Sequence, residues 1–422
     1  GINQIGRLRL PHPHSGSRRR ERPLCPDADA RVIDTHLPRA SSVLRTPRIT
    51  RLVLQDFRSY PMLHLTLDGS MIVFVGENGA GKTNLLEALS LFTPGRGLRR
   101  ADLEEMTREH GPGSFAVSII IEDQEDIWRL GTGLEIQDED GARQRRYRIN
   151  GAAVGSAQYF TDHIRIVWLT PALDGLFTGA AGDRRRFLDR LVLALDPAHA
   201  SRVSGLERAL RNRNKLLEES SPDPLWLDAI EREVAETGIA VAAARQEAIG
   251  RLSGLIHAMR DDASPFPWAE IRLEGWVENA LLDRAAVDVE DEFRALLKSQ
   301  RMRDRAAGRA LIGPQAADLI VIHGPKSVAA ERASTGEQKA LLIGLVLAHA
   351  RLVADVSGIA PIILLDEIAA HLDPKRREAL FDTLAQLGSQ VFMTGADIAS
   401  FSLMPEATRC YAVSHGKVDL LP

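Results

Sequence analysis

The sequence predicts an α/β fold: a mixed sheet with flanking helices around a phosphate-binding loop, carrying an inserted helical lobe. Three segments support this. GENGAGKT (76–83) lies between an apolar strand pattern and a helical one, ASTGEQ (333–338) opens a long apolar helix, and LLDEIAAHLD (364–373) sets two acids directly after a buried strand. Roughly 250 residues separate the first from the second, room for a further lobe.

At 422 residues and 44% hydrophobic, the chain can bury a sizeable core, and no apolar run looks long enough to cross a bilayer. A net charge of −4 excludes a bulk polycation, so any contact with nucleic acid must use local basic patches. The two cysteines, Cys25 and Cys410, form no CxxC pair, which disfavours a disulfide framework and a structural zinc site. The expected setting is cytoplasmic, with no membrane partner.

Residues 1–47 read as a disordered basic leader. Ten arginines stand against four acids in residues 1–50, with Pro and His scattered through PHPHSGSRRRERP. This is either a nucleic-acid-binding arm or a stretch upstream of the true start, since the chain begins with Gly1. No continuous apolar core follows to make a secretory signal.

The first part of the head is expected over 48–178. ITRLVLQDF (49–57) alternates like a half-buried strand, and HLTLDGSMIVFVG (64–76) ends in the apolar run MIVFV. In the next loop Gly76, Gly79 and Gly81 let the backbone curl around one anion, with Glu77, Asn78 and Ala80 between them. Lys82 is placed to reach β- and γ-phosphates, and the Thr83 hydroxyl to ligate Mg²⁺.

An inserted lobe is expected over 179–310. Val203, Leu206, Leu210 and Leu217 fall on an a/d seam interrupted by Arg213. SSPDP (220–224) breaks the helix, and Leu227, Ile230, Val234, Val241, Ala248, Leu252 and Leu255 resume a similar seam. This predicts an antiparallel helical hairpin with arms of roughly 30–50 Å, packed within the lobe. Its tip has no cysteine, so a zinc hook is excluded.

The second part of the head, 311–422, holds the other two segments. Ser334, Thr335, Gly336, Glu337 and Gln338 sit at a helix N-terminus, whose dipole and free N–H groups favour an anion. A Ser with a Glu three residues on is also an ordinary capping box. In PIILLDE (361–367), Ile362 to Leu365 read as a central parallel strand. Asp366 emerges at its C-terminal end to hold Mg²⁺, and Glu367 can polarise an attacking water.

Basic clusters lie at ARQRRYRING (142–151), GDRRR (182–186), RALRNRNK (208–215) and RMRDRAAGR (301–309). Together they suit a sequence-independent phosphate-tracking surface. RRYRING suggests a hairpin strand closing on an Asn-Gly turn, and Arg145, Arg146 and Arg148 are its candidate DNA contacts.

GENGAGKTNLLEAL, LTP…GDRRRFLDR (169–190), ASTGEQKALLIG and LLDEIAAHLDPKRR resemble the RecF family, bacterial recombination-mediator ATPases related to the SMC proteins. The resemblance runs from about residue 49 to the end. It implies an ABC-type P-loop ATPase head with an inserted helical lobe and a slow, DNA-stimulated hydrolysis of ATP. It also implies an ATP-dependent homodimer, in which each Walker site (Lys82, Thr83, Asp366, Glu367) meets the other subunit's signature loop (334–338), with Asp373 as the D-loop acid at the interface. Such a dimer holds duplex DNA at gaps and junctions. With RecO and RecR it helps load RecA onto single-stranded DNA during repair, fork maintenance and the SOS response. By the same resemblance Arg58, in QDFRSY, lies near the nucleotide, and Arg96 and Arg99, in GRGLRR, approach phosphate or DNA.

Several residues depart from that pattern. Thr335 stands where Gly is usual and Glu337 where Gln is usual, which puts a negative charge near the incoming γ-phosphate. Gln315 and Ala316, in GPQAADL, replace an expected His and Arg, and no Q-loop glutamine is evident near VWLTP (167–171). QVFMTGAD (390–397) lacks the switch histidine of transporter ATPases, which together with the long Walker A–signature gap counts against a transport energiser. A nucleotide switch with negligible turnover remains the alternative on account of Glu337, although Lys82 and Glu367 are intact.

Overall fold

The computed structural model describes residues 44–124, 126–137, 142–369, 372–405 and 407–422. The disordered-leader expectation falls on residues 1–43, outside the described residues. Arg45, assigned to the leader from sequence, is already part of the fold. Its N–H donates to Gly358 O (3.0 Å), its carbonyl accepts from Ala360 N (2.8 Å), and its guanidinium pairs with Asp123 (2.6 Å).

In chain order the first elements are β1 (Arg48–Phe57), β2 (Tyr60–Thr66), β3 (Met71–Val75), α1 (Lys82–Ser90), β4 (Phe115–Asp123), β5 (Asp126–Ile136), β6 (Arg143–Ile149), β7 (Ala152–Val154) and β8 (Ile166–Leu169). Then come α2 (Ala181–Leu195), α3 (His199–Glu218), α4 (Pro224–Ala258), β9 (Ala269–Glu274), α5 (Trp276–Asp283), α6 (Ala286–Ser299) and α7 (Arg301–Ala307). The chain finishes with β10 (Asp318–His323), β11 (Val328–Ala329), α8 (Thr335–Ser357), β12 (Ile362–Leu365), α9 (Pro374–Gln386), β13 (Val391–Gly395), β14 (Arg409–Ser414) and β15 (Lys417–Leu420).

These strands make three sheets, and the mixed α/β class expected from sequence holds. An antiparallel sheet has the order β2-β1-β4-β5-β6-β7, and a small one β11-β10-β9. The third runs β15-β14-β3-β13-β12-β8 and is parallel except at the β14–β15 edge. β3, β8, β12 and β13 are buried at every position, which explains their unbroken apolar runs. Ile72, Phe74, Ile362, Leu364 and Phe392 face a core shared with α1 and the antiparallel sheet. Val73, Val75, Ile363, Leu365 and Met393 face a second core, built with α2, α8 and the C-terminal half of α4.

α8 amends one expectation. By length and composition it is apolar enough to cross a membrane, yet 67% of its most apolar window is buried within the protein. It is a core helix whose N-terminus carries the ASTGEQ segment.

α3 and α4 stand on either side of SSPDP and share a core. At 35 residues α4 is roughly 50 Å long, and Asp223 caps it by accepting from Leu225 N (2.8 Å). Val234, Ala235, Ile239 and Ala242 of α4 pack in a lobe core with Leu206 and Leu210 of α3. Farther along, Ala248, Ile249, Leu252 and Ile256 belong to the head's core, so one helix is shared by lobe and head. The stretch 179–310 is also not purely helical. β9 lies inside it and pairs with β10 of the second head segment, Ile271 opposite Val321.

Candidate nucleotide site

The phosphate loop follows β3 and ends at α1. A Cβ on Gly76 would lie 2.3 Å from the Val413 carbonyl, so β14 leaves room only for glycine there. Gly81 has φ +107°, and a Cβ on it would meet the Tyr60 hydroxyl at 2.9 Å. That hydroxyl donates to Gly81 O (3.0 Å), tying the loop to the start of β2. Lys82 is buried, and its ammonium spans the loop by donating to Gly76 O (2.7 Å) and Glu77 O (2.8 Å).

Sheet order places the acids beside this loop. β13 alone separates β3 from β12, so the C-terminal ends of three parallel strands converge. The Thr83 hydroxyl donates to Asp366 Oδ1 (2.9 Å), and Thr394 Oγ1 at the end of β13 donates to the same oxygen (2.7 Å). Glu367 N donates back to Thr394 Oγ1 (2.9 Å). Thr394 thus joins the two acids, a role that no sequence signal announced. Glu367 itself has φ +55°, a strained region for a residue with a side chain. Mg²⁺ binds in ATPases through one or two protein oxygens plus phosphate and water. The adjoining Thr83 hydroxyl and Asp366 carboxylate fit that donor set.

Arg58 and Arg99 converge on one carboxylate. Glu87, on α1, accepts from Arg58 Nε and Nη2 (both 2.8 Å) and from Arg99 Nη1 (2.8 Å). Arg99 also donates to Asn84 Oδ1 (2.9 Å), whose amide reaches Ser59 Oγ (3.1 Å). Both arginines, with Arg96 and Arg100, line an open cleft of about 590 Å³. Among the described residues Arg96 pairs only with the exposed Asp102 (3.0 Å).

Ser334, Thr335 and Gly336 are exposed at the start of α8, where Ser334 and Glu337 form a complete capping box. Gln338 is buried and donates to Glu331 O (3.2 Å) and Ala333 O (3.0 Å). Its amide therefore braces the loop from within, which removes it from the residues offered to another subunit. Asp373 caps α9 by accepting from Arg376 N (3.0 Å), and Arg376 Nη1 donates to Gly336 O (3.4 Å). Asp373 and the 334–338 segment are thus linked through one arginine. Gln315 is used locally, donating to Ile312 O (2.8 Å) and Ala310 O (3.3 Å).

The basic clusters divide sharply. Within GDRRR, Arg184 makes a two-pronged pair with Asp318 (2.7 Å each), Arg185 donates to Ala317 O (2.7 Å), and Arg186 pairs with Asp183. This cluster is spent within the chain. On β6, alternation splits the three candidates. Arg145 turns inward, donating to Leu91 O (2.8 Å) and Gly95 O (2.7 Å), and burial lowers its pKa. It is a brace for the loop after α1, which corrects its assignment as a DNA contact. Arg146 and Arg148 lie on the other face and share Glu135 (3.5 and 3.1 Å). The hairpin closes on Asn150 and Gly151, both at positive φ (+49° and +86°), as a two-residue Asn-Gly turn requires.

A family model described as RecF/RecN/SMC N terminal domain matches residues 48–419. Fold, loop and matched model define a P-loop ATPase head of that class. DNA replication and repair protein RecF of Rhizobium leguminosarum bv. trifolii (strain WSM2304) is 55% identical over 370 residues, 88% of this chain and 98% of its own length. The protein of the same description from Agrobacterium fabrum (strain C58 / ATCC 33970) is 52% identical over 371 residues, with the same coverage. The chain belongs to the RecF family. A solved structure of the recombination mediator protein RecF-ATPrS in the RecFOR pathway shares the fold, with a TM-score of 0.77 at 20% identity over 89% of this chain and 99% of that one.

Proposed function

We propose that this protein is a cytoplasmic ATP-dependent DNA-binding protein of recombinational repair and replication-fork maintenance, with a slow, DNA-stimulated ATPase. The observation that carries the reading is the Thr83–Asp366–Thr394–Glu367 chain at the mouth of the phosphate loop. Lys82 and the loop amides bind the triphosphate. Thr83 and Asp366 would hold Mg²⁺, which neutralises phosphate charge when bound. Glu367 orients and deprotonates the attacking water. Arg58 steadies the nucleotide side of α1 through Glu87.

Ser334 and Gly336 complete the site of a second copy, with Asp373 at the interface, so that ATP drives homodimerisation. Arg96, Arg99, Arg146 and Arg148 are the DNA-facing residues, with duplex at gaps and junctions as the target. RecR and RecO are the partners in loading RecA onto single strands. Relatives named as DNA replication and repair proteins, one of them 55% identical, support this assignment.

The test is Glu367→Gln. The variant should bind ATP and dimerise in sedimentation, while hydrolysis falls about 10²–10⁴-fold. Wild-type turnover should rise with gapped duplex. If wild-type and Glu367→Gln rates are equal with and without DNA, the nucleotide-switch reading replaces the enzyme.

A further inference from the structure

The 334–338 segment carries an acid in the first turn of α8, and the structure places a cation against it. Glu337 lies in the first turn of the 23-residue α8. Its Oε2 accepts from Ser334 N (3.0 Å), and its Oε1 accepts from the Lys326 ammonium. A glutamine could accept from Ser334 N equally well, since the capping box takes either residue. The negative charge is therefore surplus to the capping function. It also sits at the helix end whose field would otherwise attract a phosphate, competing with that anion.

Lys326 is not a passing surface lysine. It ends a 3₁₀ turn, Gly324–Lys326, at the C-terminal end of β10. The buried His323 side chain accepts from Lys326 N (3.3 Å), and a Cβ on Gly324 would strike the Trp268 ring at 2.3 Å. The turn is thus seated against Trp268 and held by His323. Its lysine reaches across to α8 with 55% of its side chain still exposed. Lys326 and then the Ser334 donors hold the Glu337 carboxyl down to about 2, so the acid is ionised and the cancellation has to come from outside it.

Resting on the trans-signature reading above, we propose that Lys326 is the charge-compensating, positioning residue of the signature half-site. It cancels Glu337, so that exposed Ser334 and Gly336 meet the Mg-triphosphate carried by a second copy of this chain without electrostatic opposition. Lys326 and Glu337 together do what one neutral glutamine does.

The experiment compares wild type, Lys326→Ala, Glu337→Gln and the double variant. Association is measured by sedimentation velocity with Mg-ATPγS, and monomer affinity with a fluorescent ATP analogue at low protein concentration. Lys326→Ala should keep monomer affinity and associate about tenfold more weakly, because Glu337 now faces phosphate unopposed. Added salt should narrow that gap by screening. Glu337→Gln should associate like wild type, and the double variant should return to the Glu337→Gln level. Rescue by removing the acid separates charge compensation from a merely structural role of the lysine. Wild-type association by Lys326→Ala, or a double variant as weak as the single one, overturns the proposal. A wild type that does not associate with ATPγS at all overturns the trans-signature reading and this proposal with it, an outcome distinct from either variant result.

Discussion

Two arginine–carboxylate clusters in this molecule use the same chemistry and differ in which partners they bury. In the lobe both signs are buried, Glu231 and Asp304 with Arg213. Arg213 is 0% exposed, donating to Glu231 (3.1 Å), Asp304 (2.7 Å) and Leu297 O (2.7 Å). Glu231 also takes Arg301, which reaches Asp228, and Asp228 takes Lys298. Three cations thus meet three carboxylates, and the cluster is closed. In the head the buried member is the anion. Glu87 is 0% exposed, while the two guanidiniums it anchors, Arg58 and Arg99, are 19% and 39% exposed and line the cleft. Two cations on one carboxylate leave a surplus positive charge facing solvent. A closed cluster satisfies its own charges, whereas a buried carboxylate that displays arginines leaves positive charge for the phosphate contacts of the proposed function.

The largest expected effect breaks the closed cluster. Arg213→Ala leaves Glu231 and Asp304 buried without their shared cation, a change that costs about 3–5 kcal/mol. Denaturant unfolding should show that loss, while ATP affinity per folded molecule stays unchanged. A loss under about 1 kcal/mol would mean that water reaches the cluster and that it is not closed.

Glu87→Gln addresses the open cluster and should show the reverse balance. Shape is kept, charge is removed, and the two arginines can turn to water, so stability falls by only about 1–2 kcal/mol. Function should suffer more than stability, because Arg58 and Arg99 lose the anchor that aims them beside α1. DNA-stimulated hydrolysis should drop while the unfolding midpoint moves less than in Arg213→Ala. Equal destabilisation by the two variants, with full activity retained by Glu87→Gln, would erase the distinction between them.

The same contrast explains what the sequence revealed. Strand periods, the glycine-rich loop, the Asn-Gly turn and the hairpin arms were legible because each is a local pattern. The pairings were not. Arg213 looked like a break in an apolar seam. An inward seam position that holds a charge demands a partner, but that partner, Asp304, lies 91 residues away. It sits in RMRDRAAGR, a stretch that read as a basic surface. Glu87 carries no signal of its own, because its partner Arg58 is 29 residues upstream, in the β1–β2 turn. Thr394 carries no motif of its own. Its role follows from β13 lying between β3 and β12, and strand order is a property of the fold.

On β6 the closed and open cases stand on adjacent residues, where the expected effects are smallest. Arg145 is closed, with two carbonyls of the loop after α1 as its acceptors. Arg145→Ala should cost about 1–3 kcal/mol by leaving those acceptors unpaired. Arg146 and Arg148 are open, sharing among the described residues only the half-exposed Glu135. Arg146→Ala with Arg148→Ala should therefore change stability by no more than about 0.5 kcal/mol. Its effect belongs in the salt dependence of duplex binding. Removing one arginine–phosphate pair should flatten the slope of log affinity against log salt by about 0.9, so removing both gives about 1.8. Fluorescence anisotropy on gapped duplex across a salt series reads this directly. An unchanged slope would show that Arg146 and Arg148 are solvated, and that outward arginines here do not by themselves mark the DNA path.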